Sequence, residues 1–215
     1  LKRIPEPDLM ESQEQALSYA NADFSDSNNL FLNKVFQCSN ISENTTLLDV
    51  GCGDGEIPIK IRSTKKCNIT ALDGSESMLK EFKKKLDKQN IEDITVIHQR
   101  LEENSFNDES FDIITSNSVL HHVVSPHQYW DELLRLVKST GNIFIMDLVR
   151  PKDEVALTHI LDKYGGNDPT LRNDFDNSLR AAYTLPEVTE QLSVFYSISF
   201  DAKLISDRHF FVTIE

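Results

Sequence analysis

Short apolar runs alternate with amphipathic stretches over most of this chain. Residues 46–50, 68–72, 95–98, 111–116 and 141–146 are brief and rich in Val, Ile, Leu and Phe, the pattern of strands buried on both faces. Between them, Met78, Leu79, Phe82 and Leu86 fall on one helical face after Ser75, and Trp130, Leu133, Leu134 and Val137 do the same within residues 125–137. Residues 56–63 carry Ile57, Ile59 and Ile61 without a clear period, and their place after a glycine-rich turn favours a helix. Strand alternating with helix predicts an α/β fold with a largely parallel sheet and helices on both faces.

The rhythm differs at the two ends. Residues 12–20 and 29–36 read as helices joined by the polar stretch 21–28, so residues 1–40 are expected to form a helical lid ahead of the first strand. Beyond Pro151, residues 153–164, 169–183 and 186–192 look helical with no strand between them, which predicts a helical cap inserted over 151–192. Residues 196–205 and 209–214, separated by Ser206-Asp207-Arg208, read as a closing hairpin. No repeat or long Pro/Gly/Ser linker divides the sequence, so a single domain over 1–215 is expected.

Charge narrows the range of partners. The 215 residues carry a net charge of −13, which repels polyanions, and the basic run at Lys83-Lys84-Lys85 is interleaved with Glu81 and Asp87 on a helix surface. Nucleic acid is therefore disfavoured and a small molecule favoured. Apolar runs fall far short of the ~20 residues that cross a bilayer, so no membrane insertion is expected and a cytoplasmic location is. Cys38, Cys52 and Cys67 are odd in number and lack C-x-x-C spacing, so neither a disulfide framework nor a metal site is expected from them. The glycosylation-like triplets at Asn40, Asn44 and Asn68 read as chance.

The candidate chemistry begins at Gly51, Gly53 and Gly55, between a strand and a helix. Such a loop lets main chain approach a nucleotide-like ligand and is expected to aim free N–H groups at it. Asp73, at the end of the next strand, is placed to accept both hydroxyl hydrogens of a ribose, or else to cap the helix from Ser75. Asp49 can hold the loop amides, reach a cationic amino group, or be purely structural.

Four segments carry a resemblance: Leu47-Leu-Asp-Val-Gly-Cys-Gly-Asp-Gly55, Ala71-Leu-Asp-Gly-Ser-Glu-Ser-Met78, Ser110-Phe-Asp-Ile-Ile-Thr-Ser-Asn-Ser-Val-Leu-His-His122 and Gly141-Asn-Ile-Phe-Ile-Met-Asp147. In this order they resemble the class I S-adenosylmethionine-dependent methyltransferases, in particular the small-molecule subgroup related to quinone-biosynthesis methyltransferases. The resemblance implies a Rossmann-like seven-stranded, mostly parallel sheet of order 3-2-1-4-5-7-6 with its last strand antiparallel. It implies S-adenosyl-L-methionine as cofactor and S-adenosyl-L-homocysteine as product, with Gly51, Cys52 and Gly53 at the methionine part, Asp73 at the ribose, and Gly74 and Met78 near the adenosine. Asn117 and Ser118 would lie under the sulfonium side. Where the family often offers an acidic residue to the adenine amino group, this chain reads Gln99-Arg100-Leu101; Gln99 can accept from that group and Arg100 can stack on the ring. Tyr19, in Tyr19-Ala-Asn-Ala-Asp-Phe24, resembles a lid residue near the methionine carboxylate or sulfonium, and reads equally well as a core tyrosine.

Methyl transfer from a sulfonium is an in-line displacement that asks mainly for alignment and exclusion of water. A general base helps where the acceptor loses a proton, and His121 or His122 is the candidate for that part. Arg150 can hold an anionic acceptor or pair with Asp147, while Asn177 and Tyr183, in the cap stretch 174–183, can hydrogen-bond an acceptor or simply pack. Arg208-His209 is expected to be structural. Two alternatives stay open: a nicotinamide-dependent oxidoreductase, against which the Gly51-x-Gly53-x-Gly55 spacing argues, and a non-catalytic cofactor-binding module of the same fold.

Overall fold

Strands without a polar face need cover on both sides, and the computed structural model, which describes residues 1–6 and 12–215, supplies it. Residues 7–11 of the expected lid lie outside the described residues. In chain order the elements are α1 (Gln13–Asn21), α2 (Ser25–Cys38), β1 (Thr46–Val50), α3 (Glu56–Thr64), β2 (Asn68–Asp73), α4 (Glu76–Gln89), β3 (Ile94–His98), β4 (Phe111–Asn117) and α5 (Pro126–Leu136). They continue with β5 (Val137–Leu148), α6 (Glu154–Tyr164), α7 (Pro169–Ala181), α8 (Leu185–Ser193), β6 (Phe200–Leu204) and β7 (His209–Ile214).

The seven strands form one sheet in the order β3-β2-β1-β4-β5-β7-β6. β1 through β5 pair in parallel, whereas β7 runs antiparallel to both β5 and β6. This is the Rossmann-like order implied by the resemblance. Period-two alternation distributes each strand between two apolar layers. Phe144, Met146 and Phe211 face the layer shared with Phe31, Ile61 and Phe82, while Ile143, Ile145, Phe210 and Val212 face the one built on Trp130 and Leu133.

Three expectations shift. α2 starts at Ser25, inside the stretch read as a polar connection, because Ser27 Oγ and the Asn28 amide both bond to the Phe24 carbonyl and Asn28 itself is buried. β5 reaches back to Val137, which pairs with Phe111 across an irregularity in the ladder, so a polar stretch becomes strand by pairing rather than by burial. The hairpin begins at Phe200 rather than 196, where Tyr196 is 97% exposed and has no sheet face to bury.

The strand order reverses between β1 and β4, and the crevice outside the carboxyl ends of strands at such a point is where open α/β sheets take ligands. Residues of α1, α2, α6 and α7 line that crevice, and Gln15 of α1 reaches Asp174 of α7. Among the described residues no helix is long and apolar enough to cross a membrane.

Candidate functional site

A cleft of about 770 Å³ opens at the carboxyl ends of β1, β2 and β4. Its floor is the turn after β1. Gly51 has φ +68 and Gly55 has φ +83, a left-handed backbone that L side chains rarely adopt, and a Cβ at Gly55 would collide with the Phe82 ring. A Cβ at Gly51 would likewise meet the Val119 side chain. Four of the loop amides are engaged within the fold, however. Gly51 and Cys52 donate to the Leu72 carbonyl at 2.7 and 3.0 Å, Gly53 donates to Asp73 Oδ2 at 2.7 Å, and Gly55 donates to the Cys52 carbonyl at 2.9 Å. For these four amides the expectation of free N–H groups aimed at a ligand does not hold, because they pin the turn to itself and to the end of β2.

Asp73 ends β2 with each carboxylate oxygen already taking one main-chain N–H, Gly53 on Oδ2 and Ser75 on Oδ1, both at 2.7 Å. Each oxygen keeps a lone pair for a further donor. Burial raises the Asp73 carboxyl above its ordinary range, and the two amide bonds oppose that rise. The helix cap is Ser75, whose hydroxyl accepts from the Met78 amide at 3.2 Å. Asp73 therefore orients the turn rather than capping α4 itself.

Asp49 is 2% exposed and accepts from the Thr115 hydroxyl at 2.7 Å. Burial pushes its carboxyl up to about 7, with the Thr115 bond opposing and the Asp73 charge reinforcing. At the end of β4, Asn117 Nδ2 donates to Asn28 Oδ1 of α2 at 3.3 Å, which leaves the buried Asn117 Oδ1 without a partner. Ser118 follows with φ +60, an uncommon conformation for a residue with a side chain. Tyr19 stacks on Phe24 with ring centroids 4.5 Å apart. Burial and nearby carboxylates, first Asp54, raise its hydroxyl pKa.

On the far wall, His121 and His122 close a 3-10 turn after β4 and their rings lie 4.1 Å apart. His121 Nδ1 meets Asp147 Oδ1 at 2.6 Å. Burial alone would lower His121 and raise Asp147, but their mutual charge and hydrogen bond win, so His121 is raised and Asp147 lowered. Glu6, from the segment ahead of α1, brings Oε2 to 2.6 Å from His122 Nδ1 and accepts the Ser178 hydroxyl on Oε1 at 3.0 Å. Arg3 anchors that segment by donating to the carbonyls of Ala181, His121 and Val123 at 2.6, 3.0 and 3.1 Å. Asp174 Oδ1 accepts from Gln15 of α1 at 3.2 Å, and its buried Oδ2 has no partner.

The cleft thus brings together Tyr19, Asp49, Gly51, Cys52, Gly53, Asp73, Gly74, Met78, Gln99, Arg100, Leu101, Asn117, Ser118, His121 and His122. It does not bring in Arg150, Asn177 or Tyr183. Arg150 donates to the Ala182 carbonyl at 3.0 Å and to Glu187 at 2.6 Å, not to Asp147, and so ties β5 to α8. The Tyr183 hydroxyl donates to the Val123 carbonyl at 2.9 Å beneath the Arg3 guanidinium, and Asn177 is exposed outside the cleft. Arg208 and His209, expected to be structural, line the cleft beside Tyr164. Sequence reasoning missed Asn28, Glu6 and Ser178. A buried polar residue in a helix gives no local signal, and Glu6 meets His122 only through the fold.

Comparison with known proteins agrees with this fold. Residues 48–145 match the model of the methyltransferase domain. The demethylmenaquinone methyltransferase of Listeria welshimeri is 30% identical over 113 residues, covering 52% of this chain and 48% of that protein. The chain therefore spans about half the length of the curated relatives it matches. Among solved structures, an S-adenosylmethionine-dependent methyltransferase from Aquifex aeolicus superposes with a TM-score of 0.70 at 19% identity, covering 94% of this chain and 97% of that one. A Methanococcus maripaludis protein described in the same terms gives 0.73 at 18% identity, covering 99% and 96%. Likeness of sequence and of fold converge: residues 48–145 match a methyltransferase domain, and the chain shares its fold with S-adenosylmethionine-dependent methyltransferases and, over about half its length, sequence with demethylmenaquinone methyltransferases.

Proposed function

We propose that this protein moves a methyl group from S-adenosyl-L-methionine to a small-molecule acceptor in the cleft between the sheet edge and the α6–α7 cap, in the cytoplasm. The observation that carries this reading is Asn117 Oδ1, a buried acceptor with no partner on the floor of a cleft whose next strand ends in the anchored Asp73. A buried acceptor left unpaired costs about 1–3 kcal/mol, so the pocket is shaped for a donor-bearing ligand.

The residues fit the cofactor. Asp73 would hold the ribose hydroxyls, Met78 and Leu101 would flank the adenosine, Gln99 and Arg100 would meet the base, and the turn carbonyls with Asp49 would hold the amino-acid tail. When bound, S-adenosyl-L-methionine supplies an electrophilic methyl on a positive sulfur. The chain's own work is then to orient, to exclude water, and to set the acceptor in line. α1 and α2 act as a lid, because Asn28 and Gln15 reach across to Asn117 and Asp174. The cap helix α7 supplies Asp174 and Phe175 to the acceptor side.

Calorimetric titration with S-adenosyl-L-homocysteine and with NAD is the test. Binding of the thioether and not of NAD is expected; preference for NAD would overturn the reading in favour of an oxidoreductase. Tight thioether binding with no methyl transfer from S-adenosyl-L-methionine to phenols, amines, thiols or enolisable ketones would instead favour a non-catalytic module.

A further inference from the structure

We infer that Glu6, His121 and His122 form a binding site for a first-row divalent transition-metal ion, of the zinc or iron(II) class, on the acceptor side of the cleft. One ligand atom from each of the three lies within 4.8 Å of the other two, with Glu6 Oε2 2.6 Å from His122 Nδ1 and 4.0 Å from His121 Nε2. Two imidazoles and one carboxylate suit such ions, and a set of three leaves coordination positions open. His121 and His122 both line the cleft, so the open positions face the space assigned to the acceptor.

Three features separate this cluster from an ordinary ion pair. Metal-bound histidines characteristically donate their second ring nitrogen to a carboxylate, which fixes the tautomer and turns the other nitrogen toward the ion. Asp147 Oδ1 does this at 2.6 Å from His121 Nδ1, and Asp147 is itself held by the Leu148 amide at 2.6 Å and the His121 amide at 3.2 Å. The second feature is the free nitrogen. His121 has a side chain only 4% exposed, yet its Nε2 stands 4.0 Å from Glu6 Oε2, beyond hydrogen-bond reach. An imidazole nitrogen facing a carboxylate oxygen it does not touch, where that oxygen and His122 Nδ1 are both buried without a well-formed hydrogen bond, is poised for a shared ligand. The third is Glu6, whose side chain is 10% exposed. Its Oε1 is steadied by Ser178, so Oε2 is presented to both rings.

Tetrahedral ligands about 2.1 Å from an ion lie about 3.4 Å apart. The present separations of 2.6 Å for Glu6–His122 and 4.0 Å for Glu6–His121 straddle that value. A small rotation of the Glu6 carboxylate, opening one gap and closing the other, would centre an ion among the three. The two histidines then act as ligands rather than in the general-base role expected from the sequence. The metal site stands on geometry independent of methyl transfer, so its failure and the failure of the methyltransferase reading are distinguishable.

The test is a titration of the metal-free full chain with Co²⁺, read by its visible absorption, followed by displacement with Zn²⁺. One ion per chain is expected, with a spectrum of mixed nitrogen and oxygen ligation. Glu6→Gln and His122→Ala should each weaken binding more than about tenfold, since loss of even a supporting partner of a ligand costs that much. His127→Ala, which removes an exposed histidine paired with Asp131 outside the cluster, should bind as the parent does. Retained homocysteine-thioether binding in the first two variants shows that they fold. Absence of a Co²⁺ spectrum, or binding unchanged by Glu6→Gln and His122→Ala, would overturn the inference, as would loss of binding in His127→Ala.

Discussion

Asp73 and Asp49 are neighbouring carboxyls that burial raises alike, and they differ in the donors that hold them. Asp73 is fixed by two amide donors, and in the proposed function it takes two ribose hydroxyls as well. Asp73→Ala should weaken homocysteine-thioether binding at least tenfold, about 1.4 kcal/mol, measured by calorimetry; unchanged affinity would remove this carboxylate from the ligand. Asp49 has one hydroxyl donor and deep burial, and its carboxyl stands near 7 in the fold. An unfolded aspartate titrates near 3.9, so from about pH 4 to 7 the folded state holds a proton that the unfolded state has lost. The stability this contributes is complete below about pH 4 and is lost as pH rises through 7. Urea midpoints of the parent should therefore fall relative to Asp49→Asn across that interval and run level above it. Parallel profiles would show that burial does not govern Asp49.

Elements are held to the site by polar ties at their ends. Thr184 and Glu187 form a reciprocal capping box at the start of α8, while Glu187 also receives Arg150 from the end of β5. Thr184→Ala should cost about 1 kcal/mol, read as a lower urea midpoint at constant slope. No change would mean that Val188 and Leu192 alone fix the helix. The same scale shows what the sequence discloses. β1, β2 and β4 were legible because apolar runs buried on both faces have no competing reading, and α4 and α5 because their apolar residues recur on one face. The first turn of α2 and the first residues of β5 were not, since polar residues there owe their conformation to partners distant in sequence. Arg150 illustrates the same limit: its chemistry fits an anion, but Ala182 and Glu187, reached only through the fold, consume it. Glu6 is the converse, a carboxylate with no local pattern that the chain's course carries to a histidine pair.

For the whole molecule, segments far apart in sequence are brought to the walls of one cleft. Arg3 braces the wall that carries His121, and β7 sits between β5 and β6 in the sheet. β7 also begins with His209, so the strand that fills the sheet sets one wall of the cleft as well. During synthesis, β5 leaves the ribosome long before its neighbour exists, and its Ile143–Leu148 edge waits with unpaired amides and carbonyls until residues 209–214 emerge. Contacts so distant in sequence close slowly. The nascent chain therefore passes through a stage in which the parallel half is assembled and the cavity still lacks a side. A ribosome stalled before that point would expose an unpaired strand edge of the kind that chaperones or proteases can recognise.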